Sequence, residues 1–112
     1  MKKFLVLYVS TATAEEQMRN TTPEQAKKGM EAWMAWAQKA GPAIVDLGSP
    51  VGNSLKVSSS GPAGAASKQF GGFSILQAES REALAKVLNG HPHFMSPGAS
   101  IEVHEFLPLP GM

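Results

Sequence analysis

The stretch FGGFSILQAESREALAKVLNG, residues 70–90, decides the fold because it joins a strand directly to a helix. Its first part carries aromatic and branched side chains that suit a pleated sheet, so we predict a β-strand over residues 70–78. Gly71 and Gly72 inside that strand predict a bulge, or a close approach of backbone or ligand. Ser80 is a favoured N-cap residue and predicts the start of the helix. The apolar face of this helix would consist of Ala83, Leu84, Val87 and Leu88.

A second strand is predicted over residues 4–9, FLVLYV, where every side chain is apolar or aromatic. A short secretory signal is the alternative, because Lys2 and Lys3 precede this run and the triplet ATA follows it at residues 12–14. The run is shorter than the roughly 7–15 residues of a signal core, so we favour the strand. The polar residues 10–21 are then expected to form a loop.

An amphipathic helix follows, with its beginning and its end both marked in the sequence. Thr22 predicts the N-cap, Pro23 suits the first helical position, and Gln25 can complete a capping box. Gly41, followed by Pro42, predicts the end of the helix. We expect the apolar stripe of this helix to pack in the core, as such stripes generally do. The stripe consists of Ala26, Met30, Trp33, Ala37 and Ala40, with Met34 and Trp36 beside it.

The remaining segments complete a βαββαβ order. Residues 43–47 predict a strand that resumes at residues 55–58 after a break, and residues 101–107 predict the last strand. Residues 58–69 are rich in small and turn-forming residues and predict a loop. This order is typical of an α+β, ferredoxin-like fold, in which a four-stranded antiparallel sheet carries two helices on one face.

Composition restricts the chain to one compact domain with few classes of partner. The chain has 112 residues, a formal net charge of +1 and no cysteine. We expect a single domain over residues 1–107 and an exposed tail over residues 108–112. The balanced charge argues against nucleic-acid binding, and no apolar run approaches the roughly 18 residues that a membrane span needs. We accordingly expect a cytoplasmic protein with neither nucleic acid nor membrane as a partner.

The two faces of the predicted sheet indicate a homodimer. Two helices cover one face, and the other face must meet water or a partner. The first strand is apolar on both faces, as in strands that are buried on both sides. In the last strand Glu102, His104 and Phe106 would share the open face, which is therefore mixed in polarity. We expect this open sheet face to pack against its own copy as a two-fold homodimer; a monomer with a half-exposed groove is the alternative.

Three histidines supply the candidate chemistry, because a neutral imidazole is a suitable general base near pH 7. His93 or His104 is the predicted catalytic base, and Asp46 is the predicted orienting carboxylate. His91 and His93 would project to the same side of an extended chain and could bind a ligand, or a metal together with His104. The simpler interpretation is that His91 and His93 bond carbonyl groups at the end of the second helix, and we expect no metal and no cofactor.

Other candidate residues would line a ligand pocket beside these groups. Glu102 lies two residues from His104 on the same strand, so the pair would share one pocket or form a surface or interface pair. Tyr8 could supply a hydroxyl group on that same face, although core packing is the safer interpretation. Trp33 and Trp36 could both wall an apolar ligand pocket, although core packing is the safer interpretation for Trp33.

Several short motifs follow one another along the chain: FGGFSI at residues 70–75, AES at 78–80, EAL at 82–84, HPH at 91–93 and IEV at 101–103. Taken in this order, they resemble the YCII-related family, most closely its DGPF-type branch. The resemblance implies a dimeric α+β barrel. It also implies that Asp46 matches the acidic partner of a His–Asp pair proposed to be catalytic in YCII-type proteins. The corresponding His is missing from residues 10–41, and the DGPF signature stands as SGPA at residues 60–63.

Most members of that family have no established activity, whereas some relatives are small lyases or dehalogenases acting on lactone-like ring compounds. The sequence favours a small homodimeric protein that binds a small organic molecule in a cleft between sheet and helices. One alternative is a small lyase or isomerase that works by His-mediated proton transfer. Another alternative is a non-catalytic module whose function is dimerisation or regulation.

Overall fold

The computed structural model describes residues 1–11, 14–62, 64, 70–96 and 98–111. In chain order the strands and helices are β1 (Lys2–Val9), α1 (Ala14–Arg19), α2 (Pro23–Ala40), β2 (Ile44–Pro50), β3 (Val57–Ser58), β4 (Gly61–Pro62), β5 (Phe70–Ala78), α3 (Arg81–Val87) and β6 (Ser100–Glu105). Short 3₁₀ turns lie at Gly41–Ala43 and Pro92–Met95.

Four of these strands form one antiparallel sheet in the order β2-β5-β1-β6. The helix α2 lies between β1 and β2 in the chain, and α3 lies between β5 and β6, so two strand–helix–strand units interleave in the sheet. This is the ferredoxin-like topology, and the α+β prediction is confirmed. Within the described ranges, β3 and β4 form a separate two-stranded ribbon.

Both main helices begin with the caps that the sequence predicts. The Thr22 hydroxyl accepts a hydrogen bond from the backbone N–H of Gln25 at 3.1 Å, and the Gln25 side chain accepts one from the N–H of Thr22 at 3.0 Å. The Ser80 hydroxyl accepts from the N–H of Ala83 at 3.0 Å at the start of α3. Gly41 ends α2 with a φ of 52°, a backbone conformation that favours glycine.

Strand register separates a buried face from an open face. Tyr8 pairs with Ile101 and Leu7 with Glu102, so alternate residues of β1 point to opposite sides of the sheet. The buried face meets the helices, and the open face carries half-buried apolar side chains such as Leu5 and Leu7 beside Glu102 and His104. The core consists of Phe4, Val6, Tyr8, Trp36, Leu76, Ala78, Leu84 and Leu88.

Two segments differ from their predicted structure. Residues 10–21, predicted to be a loop, contain α1, because its sequence AEEQMR consists mostly of good helix formers. Residues 55–58 do not resume β2; instead Val57–Ser58 pairs with Gly61–Pro62. The chain reverses there, since Gly61 has a φ of 116° that a residue with a side chain rarely adopts.

The strand predicted over residues 101–107 ends earlier, at Glu105, because two prolines follow shortly afterwards and cannot donate to a ladder. Residues 63 and 65–69 of the predicted loop lie outside the described residues, and so do residues 12 and 13 of the ATA triplet. Within the described part of the chain, no helix combines the length and the apolarity that crossing a membrane requires.

Candidate functional site

A cavity of about 550 Å³ lies between α2 and the end of the sheet where β1, β2 and β5 meet. None of the lining residues that the structure describes is an Asp, Glu, Lys or Arg, so this part of the wall carries no fixed formal charge. The lining residues are Tyr8, Ser10, Met18, Thr21, Ala26, Gly29, Met30, Trp33, Met34, Leu47, Gly48, Ser49, Pro50, Gly71, Gly72, Phe73 and His93.

The helix α2 supplies the apolar wall of this cavity. Met30, Trp33 and Met34 are three and four residues apart and therefore share one side of the helix. Met30 is 63% exposed, so it forms the rim of the cavity and is not a core residue, contrary to the sequence prediction. The same holds for Ala26, which is exposed and lines the cavity. The apolar stripe of α2 is thus longer than the part that the sheet covers.

The floor of the cavity is backbone, because two glycines let β2 and β5 approach closely. A side chain at Gly48, where φ is 83°, would collide with the carbonyl oxygen of Phe73. A Cβ atom at Gly72 would lie 3.1 Å from the carbonyl oxygen of Ser49. The β1–β5 register also shifts beside Gly71, so the irregularity predicted at Gly71 and Gly72 is confirmed.

Tyr8 places a buried hydroxyl group at the cavity, and a chain of hydrogen bonds fixes the position of its proton. Its hydroxyl oxygen lies 2.8 Å from the Ser74 hydroxyl, which in turn donates to the carbonyl oxygen of Leu47 at 2.6 Å. Ser74 has only one proton, so Tyr8 must be the donor to Ser74. Burial raises the pKa of Tyr8, and the bond to Ser74 opposes that rise. Tyr8 is therefore a neutral phenol at physiological pH.

His93 reaches the cavity from the 3₁₀ turn Pro92–Met95, and its tautomer follows from its contacts. Its Nε2 atom lies 2.9 Å from the carbonyl oxygen of Val9 and 3.0 Å from that of Ser100. A carbonyl oxygen only accepts hydrogen bonds, so Nε2 carries a proton. In the neutral ring the lone pair therefore lies on Nδ1, which no described residue engages in a hydrogen bond.

His91 lies behind this wall and orders it. Its Nδ1 atom accepts a hydrogen bond from the backbone N–H of His93 at 3.0 Å, and its ring is 1% exposed. Burial, reinforced by the charge of His93, lowers the pKa of His91 to about 4. With Nδ1 accepting, the proton of the neutral ring is on Nε2, which has no hydrogen-bond partner among the described residues.

Aromatic packing holds His91 in place. Its ring centroid lies 4.6 Å from the ring of Trp33, 4.3 Å from that of Trp36 and 5.0 Å from that of Tyr8. Trp36 is 5% exposed and donates from Nε1 to the carbonyl oxygen of Val87 at 3.1 Å. The structure places Trp33, for which core packing is the safer prediction, in the cavity wall, and places Trp36, the predicted pocket residue, in the core.

Three other predicted site residues, Glu102, His104 and Asp46, do not line the cavity. His104 Nε2 lies 3.3 Å from Glu102 Oε1 on the open sheet face, so the predicted pairing of these two is present. Tyr8 does not share that face, since β1 alternation places it on the buried side. Asp46 accepts a hydrogen bond from the N–H of Gly48 at 2.8 Å, which is the behaviour of a turn residue.

The structure does not bring the predicted catalytic residues together: of His93, His104 and Asp46, only His93 lines the cavity. Among the described residues, no group of three His, Cys, Asp or Glu side chains is placed to hold a metal ion. The alternative of a site formed by all three histidines therefore has no geometric support in the described part of the chain.

Sequence reasoning missed three residues of the site: Ser49 and Gly29 line the cavity, and Ser74 is hydrogen-bonded to Tyr8. Ser49 and Ser74 are ordinary serines in the sequence, and nothing local marks them. Gly29 did carry a signal, because glycine in the interior of a helix is unfavourable and asks for an explanation. A Cβ atom built at Gly29 meets nothing within 4 Å, and the space in front of it is the cavity.

Comparisons with known proteins leave the family of the chain unassigned. No protein-family model matches the chain, and no curated protein matches it. Among solved structures, the chain is similar to 5-chloro-2-hydroxyhydroquinone dehydrochlorinase from Burkholderia phenoliruptrix AC1100, in complex with 2,5-dihydroxybenzoquinone. The identity is 16%, the TM-score is 0.47, and the likeness covers 91% of each chain. At this level it assigns no activity, and the YCII-related family stays a prediction.

Proposed function

We propose that the protein binds a small, flat, largely apolar organic molecule in the cavity between α2 and the sheet. The observation that carries this proposal is the wall itself, which combines Trp33 with Met18, Met30 and Met34 and, among the described residues, has no formally charged side chain. A volume of about 550 Å³ is within the range of sites that hold small molecules. Methionine side chains adapt their shape and favour contact with aromatic rings, which suits a planar ligand.

The experiment is a titration with indole and with benzofuran, two bicyclic probes of nearly the same shape, followed in ¹H–¹⁵N correlation spectra. Binding in the cavity shifts the indole N–H signal of Trp33 more than that of Trp36, because only Trp33 lines the wall. Gly29→Leu fills the cavity from the helix and weakens binding of both probes. Lys28→Leu is the matched control, since Lys28 is exposed and is not a lining residue. If neither probe shifts the Trp33 signal, the proposed function is wrong.

A second candidate function, general-base catalysis of proton transfer, is favoured by the tautomer of His93. A ring whose Nε2 proton is held by the carbonyl oxygens of Val9 and Ser100 has its basic lone pair fixed on Nδ1. The same ring borders an apolar cavity, where a base is poorly solvated and therefore more reactive.

The probe for this second candidate is 5-nitrobenzisoxazole, a bicyclic compound whose ring opening is accelerated by general bases. The base takes the C3 proton, the N–O bond breaks, and the product is a coloured cyanonitrophenolate. We expect a rate above that of free imidazole, and its loss in His93→Gln, whose amide N–H can still donate to the two carbonyl groups. His104→Gln is the control and keeps the rate, because His104 lies on the open face. Equal rates in the two variants would exclude His93 as the base.

We also propose that the working unit is a homodimer formed through the open sheet face, the arrangement of a dimeric α+β barrel. In support, Leu5 pairs with Ile75 and Leu7 with Phe73 across β1 and β5, which makes a contiguous apolar strip on that face. All four side chains are only partly buried within one chain. A second copy would cover them, as large apolar patches generally require a partner.

A further inference from the structure

We infer that uncharged ligands that donate a hydrogen bond bind in the cavity more tightly than anions, and more tightly than molecules that only accept a hydrogen bond. This inference rests on the proposed function, because it names the chemical class of the ligand in the same cavity. It follows from three lining side chains whose protons are already donated to other groups of the protein. Each of those side chains offers lone pairs, and not a proton, to whatever enters.

Tyr8 is the first of these acceptors. Its proton is donated to Ser74, because the single proton of Ser74 serves the carbonyl oxygen of Leu47. A phenol oxygen that donates once still has a lone pair with which to accept a hydrogen bond. Tyr8 is 2% exposed, and a hydrogen bond to an acceptor that is buried in this way adds to the affinity of a ligand that donates one.

His93 is the second acceptor. Its Nε2 proton is shared between the carbonyl oxygens of Val9 and Ser100, which leaves Nδ1 as the free ring nitrogen when the ring is neutral. The ring centroids of Tyr8 and His93 are 5.3 Å apart. The two rings are therefore neighbours in the cavity wall.

Ser49 is the third acceptor, on the other side of the cavity floor. Its hydroxyl proton is donated to the carbonyl oxygen of Pro50 at 2.9 Å, and its oxygen keeps its lone pairs. An anion would meet these lone pairs, and the lining residues within the described part of the chain include no Lys or Arg to offset them. A carboxylate or phosphate would therefore lose its bound water without gaining a cationic partner, which disfavours its binding. A flat compound with an N–H or O–H group can instead donate a hydrogen bond to the acceptors of the wall.

The test compares indole, benzofuran and indole-2-carboxylate in the same titration, with dissociation constants from the ¹H–¹⁵N shifts. Indole differs from benzofuran by one N–H in place of an oxygen atom. We expect indole to bind about tenfold more tightly than benzofuran, the size of one hydrogen bond to a buried acceptor. We expect indole-2-carboxylate to bind more weakly than benzofuran, because its charge has no partner in the wall.

Variants identify the acceptors responsible for this preference. Tyr8→Phe keeps the ring and removes the hydroxyl oxygen that accepts. The dissociation constant of benzofuran divided by that of indole should therefore fall toward one. Ser49→Ala is a second variant at an exposed residue that leaves the core intact, and it tests the other side of the floor. If both probes bind the wild type equally well, the inference is wrong while the proposed function stands. If neither binds, the proposed function itself is wrong. Tight binding of the carboxylate would also overturn the inference.

Discussion

The Nδ1 atom of His91 accepts a hydrogen bond from the backbone N–H of His93, and this bond requires a neutral His91 ring. The pKa of His91 is about 4, below its ordinary value of 6.5, chiefly because the ring is buried. A protonated His91 would keep no lone pair for the N–H of His93. His91 is thus a positioning residue for His93 and not a base.

The stability of the protein should therefore fall between pH 6.5 and pH 4. A base with a lowered pKa binds its proton more readily in the unfolded chain, so the free energy of unfolding decreases as the pH drops through this window. The shift from 6.5 to about 4 corresponds to about 3 kcal/mol when fully expressed. Urea unfolding of the wild type and of His91→Asn measures it. Asn can still accept from His93 but does not titrate, so its curve should be flatter; parallel curves would contradict this account.

Gly29→Ala should stabilise the protein by about 0.5–1 kcal/mol. Glycine in a helix interior costs conformational entropy, and the added methyl group meets no atom within 4 Å. Urea unfolding measures the difference. Because the methyl group is small, we expect indole binding to be preserved, in contrast to Gly29→Leu. A loss of stability in Gly29→Ala would contradict this, because it would mean that other atoms occupy the space in front of Gly29.

Gly48→Ala should have the opposite effect and destabilise the protein by at least about 2 kcal/mol. Its φ of 83° is strained for a residue with a side chain, and the methyl group would strike the carbonyl oxygen of Phe73. Gly64→Ala is a matched control, since φ is 91° there but no atom lies within 4 Å. The difference in unfolding free energy between the two variants isolates the contact between β2 and β5.

Leu7→Lys should convert the proposed dimer into a monomer. Leu7 lies near the middle of the open face, opposite Phe73 on one side and Glu102 on the other. A lysine there would move an ammonium group out of water into an apolar interface, which is costly even with Glu102 beside it. Sedimentation equilibrium measures the change from twice the monomer mass to the monomer mass. Leu55→Lys is the control, because Leu55 is 61% exposed and lies outside the sheet. A wild type that sediments as a monomer would contradict the dimer.

Local signals explain which features the sequence predicts well. The caps at Thr22 and Ser80 act within three residues of themselves, and β5 is marked by its own side chains. Strand order follows from the order of elements, because few topologies fit βαββαβ. The sequence also predicts a cleft between the sheet and the helices, and the cavity lies between α2 and the sheet.

The candidate site depends instead on contacts between distant residues. The carbonyl oxygen of Val9 meets His93 across 84 residues, and Tyr8 meets Ser74 across 66. No periodicity reveals such pairs, so the sequence grouped His93 with His104 and not with Tyr8. The placement of Trp33 in the cavity wall and of Trp36 in the core has a similar cause, since a small rotation of the helix decides which ring the sheet covers.

The central position of β1 has a consequence for how the chain is made. Both neighbours of β1 in the sheet, β5 and β6, come after it in the chain and are synthesised long after it. Until then an apolar strand has two free edges, which is the state most prone to pairing with other chains. Folding that waits for such distant partners is intrinsically slow. A nascent chain of this protein that stops before β5 should therefore be a strong client for chaperones.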